Sequence, residues 1–296
     1  MYLLLAIHIA WTLGAVPLVT RQKRLPASAA AWLALILLLP VAGTLLYVLA
    51  GYRPHLPAAE RRAYRGDRLG QIIARGCGTR ITRHNSVELL HNGNNAFTAL
   101  IASLQRAVRS IHMEYYIIRD DRIGRTIAEI LIRKARAGLE VRVIYDAVGS
   151  WRLSRTMLRR MHEAGVETAA FEPVRFPWFT TRVTRRNHRK IVVTDGKTAY
   201  LGGINIAKYY LDGDYMGKWR DEHLRVEGDA VADLQKLFIA DWARVRGESL
   251  DIRRHIAPHD IRQRLPIQLA WAEEGSSRLT IAEAFAAAIV RAQRRV

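Results

Sequence analysis

The feature that most constrains this chain is an uncharged stretch of 28 residues, from Leu25 to Tyr52. It contains no Asp, Glu, Lys or Arg, and a helix of about 20 apolar residues is long enough to cross the hydrocarbon core of a bilayer. A shorter uncharged run from Tyr2 to Val19 precedes it and is just long enough to do the same. The sequence therefore predicts two transmembrane helices within residues 1–52.

Charged residues are concentrated after residue 52. Only three of the 46 basic residues precede that point and all 27 acidic residues follow it, so the rest of the chain carries an excess of positive charge. Such an excess fits nucleic acid or acidic lipid headgroups. The predicted spans favour lipid, and we expect no nucleic-acid partner. The positive-inside rule favours a two-span protein of the cell membrane whose large domain after residue 52 lies in the cytoplasm.

Amphipathic helical segments alternate with short apolar strands from Asn94 onward, and three strands in succession precede a last long helix near residue 240. This alternation predicts an α/β fold in which a mixed sheet has helices on both faces. The predicted organisation is a two-helix membrane anchor (1–52), a basic linker region (53–92), an α/β domain (93–250), and a connector with the start of an incomplete second repeat (251–296).

The segment RNHRKIVVTDG carries the residues best suited to chemistry. His188 and Lys190 are two apart on a predicted strand, so their side chains project from the same face. Asp195 closes that strand, and Asp195-Gly196 is a favourable hairpin turn into the next one. The returning strand brings small residues and one amide alongside: Gly202, Gly203 and Asn205. A neutral imidazole can attack phosphorus while an ammonium group stabilises charge on phosphoryl oxygens, which predicts phosphodiester chemistry without a metal or cofactor.

The segment HRKIVVTDGKTAYLGGIN resembles the HKD signature of the phospholipase D superfamily, and MEYYIIRDDRIG, RAGLEVRVIYDAVGS and KWRDEHLRVEG resemble bacterial cardiolipin synthases in particular. The resemblance implies a phospholipase D-like fold. It also implies transfer of a phosphatidyl group through a phosphohistidine, with phosphatidylglycerol as donor and acceptor and glycerol released.

The same resemblance implies roles for individual residues. His188 becomes the nucleophile or the general acid, Lys190 and Asn205 bind phosphate oxygens beside Gly202 and Gly203, and Asp195 supports the site. Three acidic residues match family positions outside the signature, where they either act at the site or pair with arginines and cap helices. These residues are Glu114, Asp146 and Asp221.

The sequence departs from this family because it contains one HKD signature where members carry two. In the family one histidine attacks and the other protonates the leaving alkoxide. We therefore expect a second HKD-bearing half, or a second copy of this chain, to complete the site. The final segment TIAEAFAAAIVRAQRRV resembles NAFTALIASLQRAVRSI at the start of the domain, so either two Ala-rich helices are merely alike or a second repeat begins there.

Other functions and sites remain as alternatives. The chain could be a phospholipase D-type hydrolase, a nuclease that dimerises to complete its site, or a truncated paralogue that only binds anionic lipid. Cys77 is the single cysteine, which excludes an intrachain disulfide and a Cys-rich zinc site. His255 and His259 are four apart, but Pro258 separates them and no third ligand is evident, so no metal site is predicted.

Overall fold

The N-terminal region contains short helices. The computed structural model describes residues 10–14, 16–17, 19–20, 26–51, 67–173, 186–215, 217–272 and 280–295. Within these ranges no helix combines the length and the apolar character needed to cross a membrane. The two predicted spans are therefore not shown, and much of the first one lies outside the described residues.

The second predicted span is divided at Leu39. Helix α1 (Pro26–Leu38) and helix α2 (Pro40–Leu46) lie on either side of it, and a π-helical turn over Tyr47–Gly51 follows. Leu39 has φ −134° and ψ 74°, because a residue that precedes proline is driven away from the helical conformation. One uncharged stretch therefore forms two helices of 13 and 7 residues.

The centre of the fold is one seven-stranded mixed sheet, as the sequence predicted. Its strands in chain order are β1 (Asn85–His91), β2 (Ser110–Tyr115), β3 (Glu140–Asp146), β4 (Glu167–Phe171), β5 (Lys190–Thr194), β6 (Thr198–Gly202) and β7 (Glu222–Gly228). They are arranged in the order β1-β7-β6-β5-β2-β3-β4. The pairs β2–β3 and β3–β4 are parallel, and the remaining pairs are antiparallel.

Helices cover both faces of this sheet. After α1 and α2, the helices in chain order are α3 (Arg68–Cys77), α4 (Asn92–Arg106), α5 (Arg122–Arg136), α6 (Arg155–Glu163), α7 (Tyr209–Asp212), α8 (Ala230–Arg246) and α9 (Thr280–Arg291). On one face, Val192 and Tyr200 belong to a core with residues of α4, α5 and α6. On the other face, Ile191 and Val193 pack with residues of α8. This alternation along β5 places successive side chains in different cores.

Part of the predicted linker belongs to the sheet. Strand β1 pairs with β7 over seven residues at the sheet edge, and α3 packs against α9. At that contact a β-carbon on Gly76 would lie 2.0 Å from Thr280 Oγ1, so only glycine fits there. The sequence signal for β1 is weak because Leu90 is its one buried apolar side chain, as expected of a strand at the edge of a sheet.

Several strands begin or end on the same side of the sheet, which we call the active-site end. Strand β5 is antiparallel to β2, so β5 begins where the parallel strands β2 and β3 end. Strand β6 ends at the active-site end of the sheet, and β7 begins there. Residues from distant parts of the chain can therefore meet at the active-site end of the sheet, and the predicted reactive pair, His188 and Lys190, lies there.

Candidate active site

His188 and Lys190 lie together at the start of β5. His188 is exposed in the loop before the strand, and Lys190 is the first residue of the strand and is only 4% exposed. Lys190 Nζ donates to the backbone oxygen of His188 at 2.7 Å and lies 3.1 Å from His188 Nδ1. The Tyr116 ring packs beside both groups, 4.6 Å from the His188 ring and 5.4 Å from Lys190 Nζ.

The surroundings shift both pKa values downwards. Burial lowers the pKa of Lys190 to about 8, although the negative charge of Asp221 opposes the shift. Burial and the Lys190 charge lower the pKa of His188, and the charge of Asp146 opposes this. The imidazole is consequently neutral at pH 7 while the lysine remains mostly charged, which is the combination needed for attack on a phosphodiester.

Asp146 anchors the segment that leads to His188. It is fully buried at the end of β3, where its Oδ2 accepts from Asn187 N at 3.0 Å. Its Oδ1 accepts from Arg186 Nη1 at 3.1 Å and from Val148 N and Gly149 N at 2.9 Å. Asp146 therefore holds two loops together beside the histidine, and its charge acts on His188 from a fixed position.

Glu114 and Asp241 form a second buried group, on the face of the sheet opposite to the Lys190 side chain. Glu114 Oε1 accepts from Asn187 Nδ2, and Arg189 Nη1 donates to Asp241 Oδ2. Burial and the nearby Asp241 charge raise the pKa of Glu114 well above its ordinary value. The two carboxyl groups therefore hold the residues on both sides of His188, and the surroundings of Glu114 favour its protonated form.

We expect Glu114→Gln to stabilise the protein at alkaline pH. A carboxyl group whose pKa is raised by folding contributes its stability below the unfolded value, and this contribution is lost as the pH rises through the folded value. Glutamine keeps an oxygen for Asn187 and does not titrate. The gain at pH 8 relative to pH 5 should be about 1.4 kcal/mol for each unit by which the folded pKa exceeds 5, up to the limit that the interval between the two pH values sets.

Urea unfolding of the parent and of Glu114→Gln at pH 5 and pH 8 measures this difference. Glu129→Gln is the matched control, because Glu129 is partly exposed and pairs with Arg160 on the surface. An identical pH dependence in the parent and in Glu114→Gln would show that Glu114 is ionised in the folded protein.

Asp195 lies at the far end of β5 from the reactive pair, about 16 Å along the strand. Its carboxylate accepts hydrogen bonds from the backbone nitrogens of Val108, Arg109 and Ser110 at 2.7 to 3.2 Å. Asp195 and Gly196 have φ of 55° and 65°, as the predicted hairpin turn requires. Asp195 thus fixes the hairpin to the start of β2, and a direct part in catalysis stays a prediction.

The predicted substrate-binding residues lie at the end of β6 or just after it: Gly202, Gly203 and Asn205. A β-carbon on Gly203 would lie 1.9 Å from Asp221 Oδ1, and one on Gly202 would lie 2.6 Å from His223 Nδ1. These glycines therefore make room for neighbouring side chains of the protein itself. The buried Asn205 amide accepts from Ile117 N at 3.1 Å and donates to the Tyr210 hydroxyl at 3.0 Å, so its contact with phosphate stays a prediction.

Several residues at this site had no signal in the sequence analysis. They are Asn187, Tyr116 and Asp241, which lie in or against the segment around His188. They come from a loop, a strand end and a helix, and the sequence patterns of these elements predict only ordinary packing. Asn187 adjoins His188, which was a usable clue. Asp241 lies 53 positions after His188, and only the folded chain shows that it lies beside this segment.

A group of potential metal ligands lies away from this site, at the opposite end of β2. Within the described ranges His112, Glu140 and His255 have ligand atoms within 4.8 Å of one another. However, Arg142 Nη1 lies 3.3 Å from His112 Nε2 and 2.7 Å from Glu140 Oε2. A fixed guanidinium between the candidate ligands opposes a metal cation, so this group carries no metal assignment.

A cavity of about 540 Å³ opens beside the reactive pair. His188 and Lys190 contribute to its wall together with three arginines, Arg186, Arg189 and Arg244. The rest of the lining is largely apolar and includes Leu234, Leu237, Leu269 and Trp271. Such a lining suits a ligand with an anionic group and a hydrocarbon part.

Comparison with known proteins agrees with this geometry. Residues 100–242 match the family model described as cardiolipin synthase, PLD-like domain. Residues 100–242 are therefore similar to the phospholipase D-like domain of cardiolipin synthases. This domain includes β2 to β7 and therefore both members of the reactive pair.

Relatives of this phospholipase D-like chain carry the same description. The chain is 35% identical over 268 residues to a cardiolipin synthase of Geobacillus kaustophilus, covering 81% of this chain and 53% of the relative. It is 38% identical over 255 residues to cardiolipin synthase 2 of Bacillus anthracis, covering 77% and 50%. The chain thus spans about half the length of the curated relatives that it matches.

A weaker likeness is to a solved structure. Nuc from Salmonella typhimurium, described as a phospholipase D family member, is 17% identical, with a TM-score of 0.42. The match covers 55% of this chain and 97% of Nuc. The similarity to cardiolipin synthases is carried by the domain match and by the relatives in sequence.

Proposed function

We propose that this chain belongs to a phosphatidyltransferase of the cardiolipin synthase type, which uses phosphatidylglycerol as donor and acceptor. The observation that carries the proposal is the 3.1 Å approach of the buried Lys190 ammonium group to the His188 imidazole, whose lowered pKa keeps it neutral. The cavity beside this pair supports it, since its arginines and apolar wall suit a phospholipid headgroup and chain. The printed names of the relatives support the substrate class.

The reaction has two displacements at phosphorus. In the first, an imidazole nitrogen forms a bond to phosphorus, the bond to the headgroup glycerol oxygen breaks, and that oxygen takes a proton. In the second, a hydroxyl of another phosphatidylglycerol attacks the phosphohistidine, gives its proton to the complementary histidine, and releases the imidazole as the P–N bond breaks. Lys190 stabilises the negative charge on the phosphoryl oxygens in both displacements.

His188 fits either of the two histidine roles. When Lys190 donates to Nδ1, that nitrogen is the acceptor and Nε2 carries the ring proton, so Nε2 cannot attack, and the ring acts as the general acid only after it takes up a second proton. When a phosphoryl oxygen takes the Lys190 hydrogen bond, the ring can change tautomer and Nε2 can attack. A second HKD-bearing unit or a second copy of this chain supplies the complementary histidine.

The test is incubation of the chain, with a complementing second unit where one is needed, with radiolabelled phosphatidylglycerol. We expect labelled cardiolipin and free glycerol. Labelled phosphatidic acid in place of cardiolipin would indicate a hydrolase. Cleavage of plasmid DNA with unchanged lipid would indicate a nuclease and would refute the proposal.

We further propose that the uncharged N-terminal stretches attach the protein to the cell membrane in two spans, with the catalytic domain in the cytoplasm. The support is the 28-residue stretch without charge and the basic residues that follow it. Alkaline carbonate washing of membranes should leave the chain in the pellet, and a version that starts at Asp67 should be extracted much more readily. Release of the full chain into the supernatant would contradict membrane insertion.

A further inference from the structure

His223 lies in one row with Lys190 across three neighbouring strands. Leu201 of β6 pairs with Ile191 of β5, so the next residue of β6, Gly202, lies alongside Lys190. Gly202 in turn pairs with His223 of β7. Paired residues point to the same face of a sheet, so Lys190 and His223 face the same side with a glycine between them.

Gly202 creates the space that His223 occupies. A β-carbon at this position would lie 2.6 Å from His223 Nδ1 and 2.5 Å from the backbone oxygen of Glu222. Any other residue would push the imidazole away from the row. The glycine on β6 therefore leaves no side chain between the lysine ammonium group on β5 and the imidazole on β7.

The hydrogen-bonding capacity of His223 is unused. Its side chain is 2% exposed, and neither ring nitrogen has a hydrogen-bond partner among the described residues. Buried polar atoms are nearly always paired, so an unpaired imidazole inside a protein requires an explanation. His112 provides a contrast, because it is equally buried but lies 2.8 Å from Gln235 and 3.3 Å from Arg142 through its two nitrogens.

The charge state of His223 suits an anionic ligand. Burial and the Lys190 charge lower its pKa to about 4, so the ring is neutral at pH 7. A neutral imidazole offers one N–H donor and can approach an ammonium group without repulsion. A tetrahedral phosphoryl group carries several acceptor oxygens and can bind both donors at once.

We propose that His223 binds a phosphoryl oxygen of the substrate together with Lys190. This inference rests on the proposed function and adds a binding residue outside the HKD signature. The ligand class is a phosphomonoester or phosphodiester anion. The imidazole N–H donates to one nonbridging oxygen while the Lys190 ammonium group contacts another, so His223 fixes the orientation of the group as well as its affinity.

The experiment measures binding of inorganic phosphate, which does not depend on turnover. Isothermal titration at pH 7 compares the full chain in detergent with His223→Leu and His223→Gln. We expect His223→Leu to bind phosphate about tenfold more weakly, the effect of losing one hydrogen bond to a charged group. His223→Gln should stay within about threefold of the parent, because its amide can still donate.

Two further variants separate the possible failures. His84→Leu is the control, because His84 is an exposed histidine in the loop before β1, close to the far end of β7. It should bind phosphate like the parent. Lys190→Met should also lose binding, and if it does not, the phosphoryl site of the proposed function is misplaced. Parent-like binding by a folded His223→Leu protein, or no binding by the parent, would overturn the role of His223.

A measurement on the parent protein covers the case in which His223→Leu does not fold. Histidine ring signals can be followed by NMR during titration with phosphate and assigned by comparison with His223→Gln. A bound anion should raise the pKa of His223 from its low starting value. If the His223 signals and their titration are unchanged when phosphate saturates the protein, phosphate does not contact this ring and the inference fails.

Discussion

His188→Ala is expected to abolish phosphatidyl transfer, and Lys190→Ala is expected to reduce it by a factor on the order of 10² to 10³. Loss of the imidazole removes either the attacking nitrogen or the proton donor. Loss of the ammonium group leaves the phosphoryl charge without its nearest cation and removes a donor 3.1 Å from His188 Nδ1. His188 is exposed, so His188→Ala should fold normally.

The assay for these variants is cardiolipin formation with whichever second unit restores activity to the parent. Lys197→Ala is a matched control, since Lys197 is an exposed lysine at the other end of the β5–β6 hairpin. Circular dichroism melting checks the fold of Lys190→Ala, whose side chain is buried. Equal specific activity in His188→Ala and the parent would mean that the reaction centre lies elsewhere.

The pH dependence gives a second signature of the same pair. Lys190 has a pKa of about 8, so activity should fall as the pH rises through that value and the ammonium group loses its proton. The acid limb should lie below the ordinary histidine range, because burial and the Lys190 charge lower the pKa of His188. Lys190→Arg should move the alkaline limb upwards, since arginine stays charged.

The sequence was sufficient to predict the central elements of the fold. Strand β5 contains the apolar run IVV, and β2 and β3 are short segments in which apolar residues alternate with buried polar ones, so none of the three has the spacing of an amphipathic helix. The Asp195-Gly196 turn was predictable because few residue pairs tolerate two consecutive positive φ values. Strand β1 was missed because an edge strand buries little and therefore carries little pattern.

The reactive pair was predictable because it is local, and its environment was not. His188 and Lys190 are two residues apart, so their proximity follows from the sequence alone. The contacts of Asn187 with Glu114, and of Arg189 with Asp241, join residues 73 and 52 positions apart. His223 was missed because DEHLRVEG looks like an ordinary strand. Only the register of β6 and β7 places His223 alongside Lys190.

The chain by itself is expected to form little or no cardiolipin. Expulsion of a glycerol alkoxide at neutral pH is slow without a proton donor. The sequence contains one His-x-Lys pair of the HKD type, so no second histidine of that type is available in this chain to act as the donor. His223 is buried with a pKa of about 4, so it carries almost no extra proton to give at pH 7.

Helix α9 presents an exposed apolar surface close to the active site. It packs on α3, but Ile281, Phe285 and Ile289 form an exposed apolar stripe at helical spacing, with Phe285 66% and Ile289 52% exposed. Ile281 also lines the cavity beside the reactive pair. A unit docked on this stripe would therefore reach the active site, and without it we expect the chain to be poorly soluble.

The decisive measurement is cardiolipin formation from phosphatidylglycerol by the purified chain in detergent, with and without a separately expressed C-terminal half of a related cardiolipin synthase. Addition of that half should raise the activity by at least the 10²-fold typical of general acid catalysis. The same half with its own HKD histidine replaced by alanine should bind without restoring activity. Phe285→Ser should weaken the rescue at low concentration of the added half and leave the rate at saturation unchanged.

Activity that rises with the square of the chain concentration would favour a homodimer. Full turnover by a strictly monomeric chain would exclude both assemblies, because the proton donor would then have to come from this chain alone.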